Sequence, residues 1–236
     1  MIPRVIFKPM SLEDNIYIVK WALSNSNSTL DLNDSIVYYF PEINSNNVEE
    51  IVKRYYLEKK DIIYSEVSRY SLLWEKYNTI YFKRLCEYLN IENIDISEIE
   101  VTVGYIPVCP RDINNNSFSL NVGYDDATLL RNCAHEILHF LWFKKIEELY
   151  SDVNIDPASL AWKYSEMIVD PILSSKFIND IFNNKFNERA YDSFYEIKDK
   201  DGKYLMDVLK DIYNSDKLIE SKIREGFDYI CSVLDN

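Results

Sequence analysis

The sequence predicts an α+β chain that is predominantly helical, with a small sheet ahead of one long central helix and a helical C-terminal part. Three observations carry this. Apolar residues recur at helical spacing over most of the chain, whereas β-branched or alternating runs are confined to a short start and to residues 100–108 and 117–123. Only four of the 236 residues are glycine and no Pro/Gly/Ser-rich linker occurs, so no clean boundary is marked, and no internal repeat is visible. A loose division near residue 95 separates a helical N-terminal region, 1–95, from a region 96–236 that carries both strands and the most informative helix.

Taken in order, a strand-like start gives way at Ser11, which with Glu13 and Asp14 reads as a helix N-terminus. Ile16, Ile18, Trp21 and Ala22 follow at helical spacing until Ser24 to Ser28 breaks the pattern. Asn47, with Glu50 three residues on, caps a long helical region from Val48 to about Leu89, predicted as two helices divided near Asp61 or Tyr77. Residues 100–108 and 117–123 read as two strands of a small sheet, joined by a polar turn from Pro110 to Asn116. Asp125 or Asp126 caps the next helix, 127–149, where Leu130, Cys133, Ala134, Ile137, Leu138, Leu141 and Trp142 predict burial on one side. Beyond Phe177 the chain reads as packing helices with a turn at Lys200-Asp-Gly-Lys203.

Composition narrows the function classes. A net charge of −13 and a pI near 4.7 argue against nucleic acid or an anionic membrane as partner, since phosphate-rich surfaces need clustered Lys and Arg. The one basic pair of note, Lys59-Lys60, is flanked by Glu58 and Asp61. Cys86, Cys109, Cys133 and Cys231 are scattered and form no CxxC pair, which predicts reduced, mostly buried thiols rather than a disulfide framework or zinc knuckle. Pro9, Glu13 and Asp14 interrupt the start before an apolar signal segment develops, and no run of about eighteen apolar residues occurs. The expectation is a cytoplasmic protein with no membrane association.

The chain has only two histidines, His135 and His139, and they sit four apart with Glu136 between them, in His-Glu-Ile-Leu-His. On a helix, residues i and i+4 project from one face, so both imidazoles can reach one metal ion while the neighbouring carboxylate leans over its water. HExxH is a zinc-hydrolase signature for that reason.

A catalytic zinc usually takes three protein ligands, and two histidines with one carboxylate is a standard set. No third histidine exists here, and Trp142 stands where the HExxHxxGxxH extension needs glycine. Glu147 and Glu148 are too close along the same helix. Glu166 is the better placed carboxylate, on a segment that can start with Asp156 as cap and Pro157 in the first turn. From His139 to Leu149 the first helix descends roughly 15 Å, and from Asp156 to Glu166 a second climbs back roughly 15 Å, which sets Glu166 level with His139. Asp170, one turn further on, is placed to accept the free ring N–H of a zinc-bound histidine. Pro171 disfavours helical geometry at Asp170.

HEILH followed by Glu166-x-x-x-Asp170 resembles the gluzincins, the thermolysin-like zinc metallopeptidases, over residues 125–170. The resemblance implies a zincin-like catalytic region in which His135, His139 and Glu166 bind Zn2+, Glu136 activates water, and Asp170 supports a ligand. It implies a peptide or protein substrate lying along a strand just before the active helix, here Leu120, Asn121, Val122 and Gly123. It also implies an oxyanion-stabilising side chain beyond the third ligand, for which the chain offers Arg189, Tyr191 and Tyr195. The 26 residues between His139 and Glu166 exceed the usual gluzincin spacing.

Two other readings compete. Peptide deformylases pair an upstream cysteine with HExxH, which would make Cys109 the third ligand, but the Gly and Leu that frame that cysteine are missing from Pro107-Val-Cys-Pro-Arg111. The other is a catalytically degenerate metal-binding or protein-interaction protein that keeps the helix for stability.

Overall fold

The computed structural model describes residues 1–25, 33–183 and 186–234. Its elements are β1 Arg4–Pro9, α1 Leu12–Asn25, α2 Asn33–Tyr39, α3 Val48–Leu89, β2 Glu98–Gly104, β3 Arg111–Asp112, β4 Ser117–Asn121, α4 Asp126–Leu149, α5 Leu160–Met167, α6 Val169–Leu173, α7 Lys176–Asn179, α8 Asp192–Glu196, α9 Leu205–Asn214 and α10 Ile219–Leu234. The class is α+β and predominantly helical, as predicted. Two compact units alternate along the chain rather than meeting near residue 95. One comprises residues 3–78 and 96–129, the other residues 1–2, 79–95 and 130–236.

The first unit holds the sheet, in the order β1-β2-β4-β3. β1, β2 and β4 run parallel, with Phe7 opposite Val101 and Val101 opposite Phe118, and β3 is antiparallel to β4. Ile99, Val101 and Val103 of β2 are buried at every second position, the strand period of two. The short β3 falls inside the segment predicted as a plain turn. Ser11 caps α1 as expected, its Oγ accepting from the Asp14 N–H at 3.0 Å. The serine-rich break predicted at Ser24 to Ser28 lies, from Ser26 onward, outside the described residues. Val19, Phe40, Val48, Ile51 and Val52 form a buried cluster in this unit.

The division expected near Asp61 or Tyr77 is absent: α3 is one helix of 42 residues. Its sequence contains neither proline nor glycine, so nothing removes a backbone donor or relaxes the helical dihedrals. It ends where Asn90 adopts a left-handed φ of 52° and the Ile91 N–H returns to the Cys86 carbonyl at 2.9 Å, a Schellman-type stop.

In the second unit, α4 is more deeply set than its pattern predicts. All the named apolar positions are buried, and so are Phe140 and Phe143, giving an unbroken buried run from 137 to 143. Over those two turns the helix is apolar on every side except at His139, so that stretch lies in the core. Asp125 provides its cap, accepting from the Thr128 N–H at 2.7 Å. Tyr81 lies fully buried and donates its hydroxyl to the Ala134 carbonyl at 2.5 Å, fixing the backbone next to His135. The turn at 200–203 forms as predicted, with Gly202 at φ 80° and its N–H on the Asp199 carbonyl. No helix among the described residues is long and apolar enough to cross a membrane. Of the cysteines only Cys133 is fully buried; the other three are half-buried.

Candidate metal centre

His135 and His139 project from consecutive turns of α4, with ring centroids 4.8 Å apart. His139 is fully buried and stacks on Phe143, while His135 keeps about a fifth of its side chain exposed. The third member of the group comes from α5. That helix starts at Leu160 with Ser159 as cap, its Oγ accepting from the Trp162 N–H, so Asp156 and Pro157 lie ahead of it rather than in its first turn. The return climb is therefore shorter than expected. Trp142 of α4 meets Tyr164 of α5 edge-on at 5.2 Å, and that contact brings Glu166 to the histidines.

Glu166 Oε2 stands 3.6 Å from His135 Nε2 and 3.7 Å from His139 Nε2. The three donor atoms all lie within 4.8 Å of one another, and Glu166 is buried. Two ligands on a tetrahedral zinc, with bonds of about 2.0–2.2 Å, stand roughly 3.4 Å apart. The separations of Glu166 from each imidazole are within a few tenths of that and longer than a good hydrogen bond. Two imidazole nitrogens and one carboxylate oxygen within 4.8 Å of one another form a group that can hold a metal ion.

The electrostatics favour a cation. Burial disfavours the charged form of His135, but the Glu166, Glu188 and Glu136 carboxylates outweigh it and raise the imidazole pKa to about 10. Glu136 is half-buried on the adjacent position of α4.

Asp170 does not accept the histidine N–H. The helix breaks at Ile168, because Pro171 has no N–H to give the Met167 carbonyl four residues back, and Asp170 enters the first turn of α6. Its buried carboxylate receives the Tyr195 hydroxyl and lies 2.8 Å from Lys210 Nζ, with Ser174 Oγ at 3.3 Å. The carboxylate at the second ring nitrogen of His135 is Glu188, whose Oε1 stands 3.2 Å from Nδ1. Glu188 is buried in the irregular stretch before α8, and Arg131 Nε approaches its other oxygen at 3.9 Å. No periodicity or motif marks it in the sequence.

Around that stretch, Arg189 lies over the Tyr195 ring at 4.2 Å and reaches Asp192 at 3.3 Å. The Tyr195 hydroxyl also accepts from the Ala190 N–H, and burial followed by the Asp170 hydrogen bond pushes its pKa up. Tyr191 is about half exposed beside Phe194.

The proposed substrate strand belongs to the sheet unit. β3 pairs with β4 only at Ser117 and Phe118, so Leu120 and Asn121 extend past it, paired to Val103 and Gly104 of β2. The Asn121 carbonyl accepts from Tyr70, the Val122 N–H donates to Gly104, and the Gly123 N–H donates to Glu66. Those three backbone groups are engaged within the unit. Cys109 Sγ contacts the Tyr124 hydroxyl at 3.3 Å, and the group of converging ligand atoms consists of His135, His139 and Glu166.

No family model, curated protein or solved structure matches this chain.

Proposed function

We propose that the chain is a zinc-dependent peptidase of gluzincin-like, zincin-type architecture. The observation that carries this reading is the convergence of His135 Nε2, His139 Nε2 and Glu166 Oε2, with Glu136 adjacent to His135 in an HExxH helix. A zinc ion held there supplies Lewis acidity toward water and toward a scissile carbonyl. Glu136 accepts the proton of the attacking water and delivers it to the leaving amine, the general-base and general-acid roles of one carboxylate. The buried setting of His139 and Glu166 keeps bulk water off the donor set and strengthens each charge interaction.

The likeness to gluzincins extends over His135, Glu136, His139 and Glu166 and stops at Asp170, which faces Tyr195 and Lys210. In this reading the tetrahedral oxyanion is stabilised by one of Arg189, Tyr191 and Tyr195, with Tyr195 disfavoured because its hydroxyl is given to Asp170. Metal analysis of the purified protein together with digestion of a peptide library tests the proposal. Stoichiometric zinc with cleavage that a chelator abolishes supports it. Zinc without cleavage transfers support to the degenerate metal-binding reading, and absence of metal affinity removes both.

A further inference from the structure

We propose that Glu188 is the positioning residue of the metal centre, and that Asp170 acts on the metal only by tethering the strap that carries Glu188. The inference rests on the zinc reading above. A carboxylate has no proton to donate, so the 3.2 Å approach of Glu188 Oε1 to His135 Nδ1 is a hydrogen bond when Nδ1 carries the proton. A neutral ring protonated at Nδ1 has its lone pair on Nε2, the atom facing Glu166 and His139. Glu188 thus selects the one tautomer of His135 that can ligate, and also holds the ring plane. Arg131, one turn before His135 on α4, approaches the other Glu188 oxygen at 3.9 Å and balances its charge.

Such a carboxylate is useful only if it is held still, and Glu188 lies outside regular structure. The Tyr195 hydroxyl ties its strap to Asp170. It donates to Asp170 and accepts the Ala190 N–H at 3.1 Å, while Ser174 Oγ, with one proton to give, donates either to Asp170 at 3.3 Å or to the Glu188 carbonyl at 3.4 Å. Lys210 Nζ, 2.8 Å from Asp170, pairs with that buried carboxylate and holds it in place. The backbone at Ala190, two residues past Glu188, is therefore anchored to Asp170, and Asp170 reaches His135 through Glu188 rather than directly.

The test measures zinc affinity by chelator competition, and the His135 ring by nitrogen-15 NMR of the zinc-loaded protein, where only two histidines give signals. Glu188→Ala should weaken zinc by about 10–100-fold and speed exchange of the Nδ1–H resonance. Glu188→Gln, whose amide oxygen still accepts that proton, should retain the resonance and recover most of the affinity. Circular dichroism of the variants monitors folding, and Glu188→Leu, of similar length but with no acceptor for the Nδ1 proton, replaces the alanine variant if that one does not fold. Tyr195→Phe should weaken zinc in the wild-type background and have no further effect in the Glu188→Ala background, the non-additivity of residues acting in series. Zinc-binding wild type with unchanged affinity and unchanged Nδ1–H exchange in a folded Glu188→Ala or Glu188→Leu variant overturns the proposal while leaving the zinc reading intact. Additive losses from Tyr195→Phe overturn the tethering role, and wild type without zinc affinity overturns both this inference and the function it rests on.

Discussion

Nε2 of His139 and Oε2 of Glu166 stand 3.7 Å apart across 26 intervening residues of sequence. The distance is set by packing: Trp142, three residues after His139, meets Tyr164, two residues before Glu166, edge-on, and the Tyr164 hydroxyl is itself held by Tyr213 at 2.9 Å and the Ile223 carbonyl at 3.2 Å. A carboxylate delivered this way removes one of three donors when it is lost. Glu166→Ala is expected to weaken zinc by at least about tenfold, the scale on which even an outer hydrogen bond to a ligand matters. Chelator competition measures it, and unchanged affinity would exclude Glu166 as a ligand.

Glu136 makes a different prediction, because its role is in proton transfer and not in holding metal. Glu136→Gln should keep stoichiometric zinc and lower peptide hydrolysis by about 10²–10⁴-fold. A variant as active as wild type would remove Glu136 from the mechanism.

The raised pKa of His135 couples metal uptake to pH. The metal-free protein holds this imidazole charged up to about pH 10, against an ordinary value of 6.5. Because the folded-state pKa is the higher one, the stability it contributes is fully present below about pH 6.5 and is lost as pH rises through about 10. Zinc requires the neutral ring, so binding near pH 7 should release about one proton from His135 per metal ion, and apparent affinity should climb as pH rises toward 10. Proton release in weakly buffered solution checks the stoichiometry, and pH-independent affinity would contradict the assignment of His135.

Gly226 tests the packing behind α5. A Cβ added there would sit 2.1 Å from the Tyr164 hydroxyl oxygen and 2.9 Å from the ring carbon that bears it. Replacing a helical glycine by alanine ordinarily gains about 1 kcal/mol in propensity. Overpacking of this severity costs about 1–3 kcal/mol and should dominate, so Gly226→Ala is expected to be net destabilising in urea unfolding. A stabilised variant would show that Tyr164 can move aside.

Local chemistry was legible from the chain alone wherever a few neighbouring residues decide the outcome. Ser11 and Asp125 cap their helices because a side-chain oxygen within one turn meets an unpaired N–H. The alternating run in β2 and the Gly202 turn are of the same kind. The break predicted inside α3 failed because weak polar signals at Asp61 and Tyr77 do not interrupt a helix that lacks proline and glycine. The one-sided burial expected of α4 failed because Phe140 and Phe143 carry apolar surface right round the helix over residues 137–143.

The sequence by itself determined that His135, Glu136 and His139 share one helix turn and one face, because helical geometry acts over four residues and needs no partner. Only the tertiary structure decided which carboxylate meets which ring nitrogen. Glu166 arrives from a helix shorter than its pattern suggested, and Glu188, 53 residues from His135, arrives from an irregular strap where no spacing rule operates. Asp170, paired with Tyr195 and Lys210, holds that strap instead. Those choices depend on side chains packed across long sequence separations, and they leave no periodicity in the chain to read.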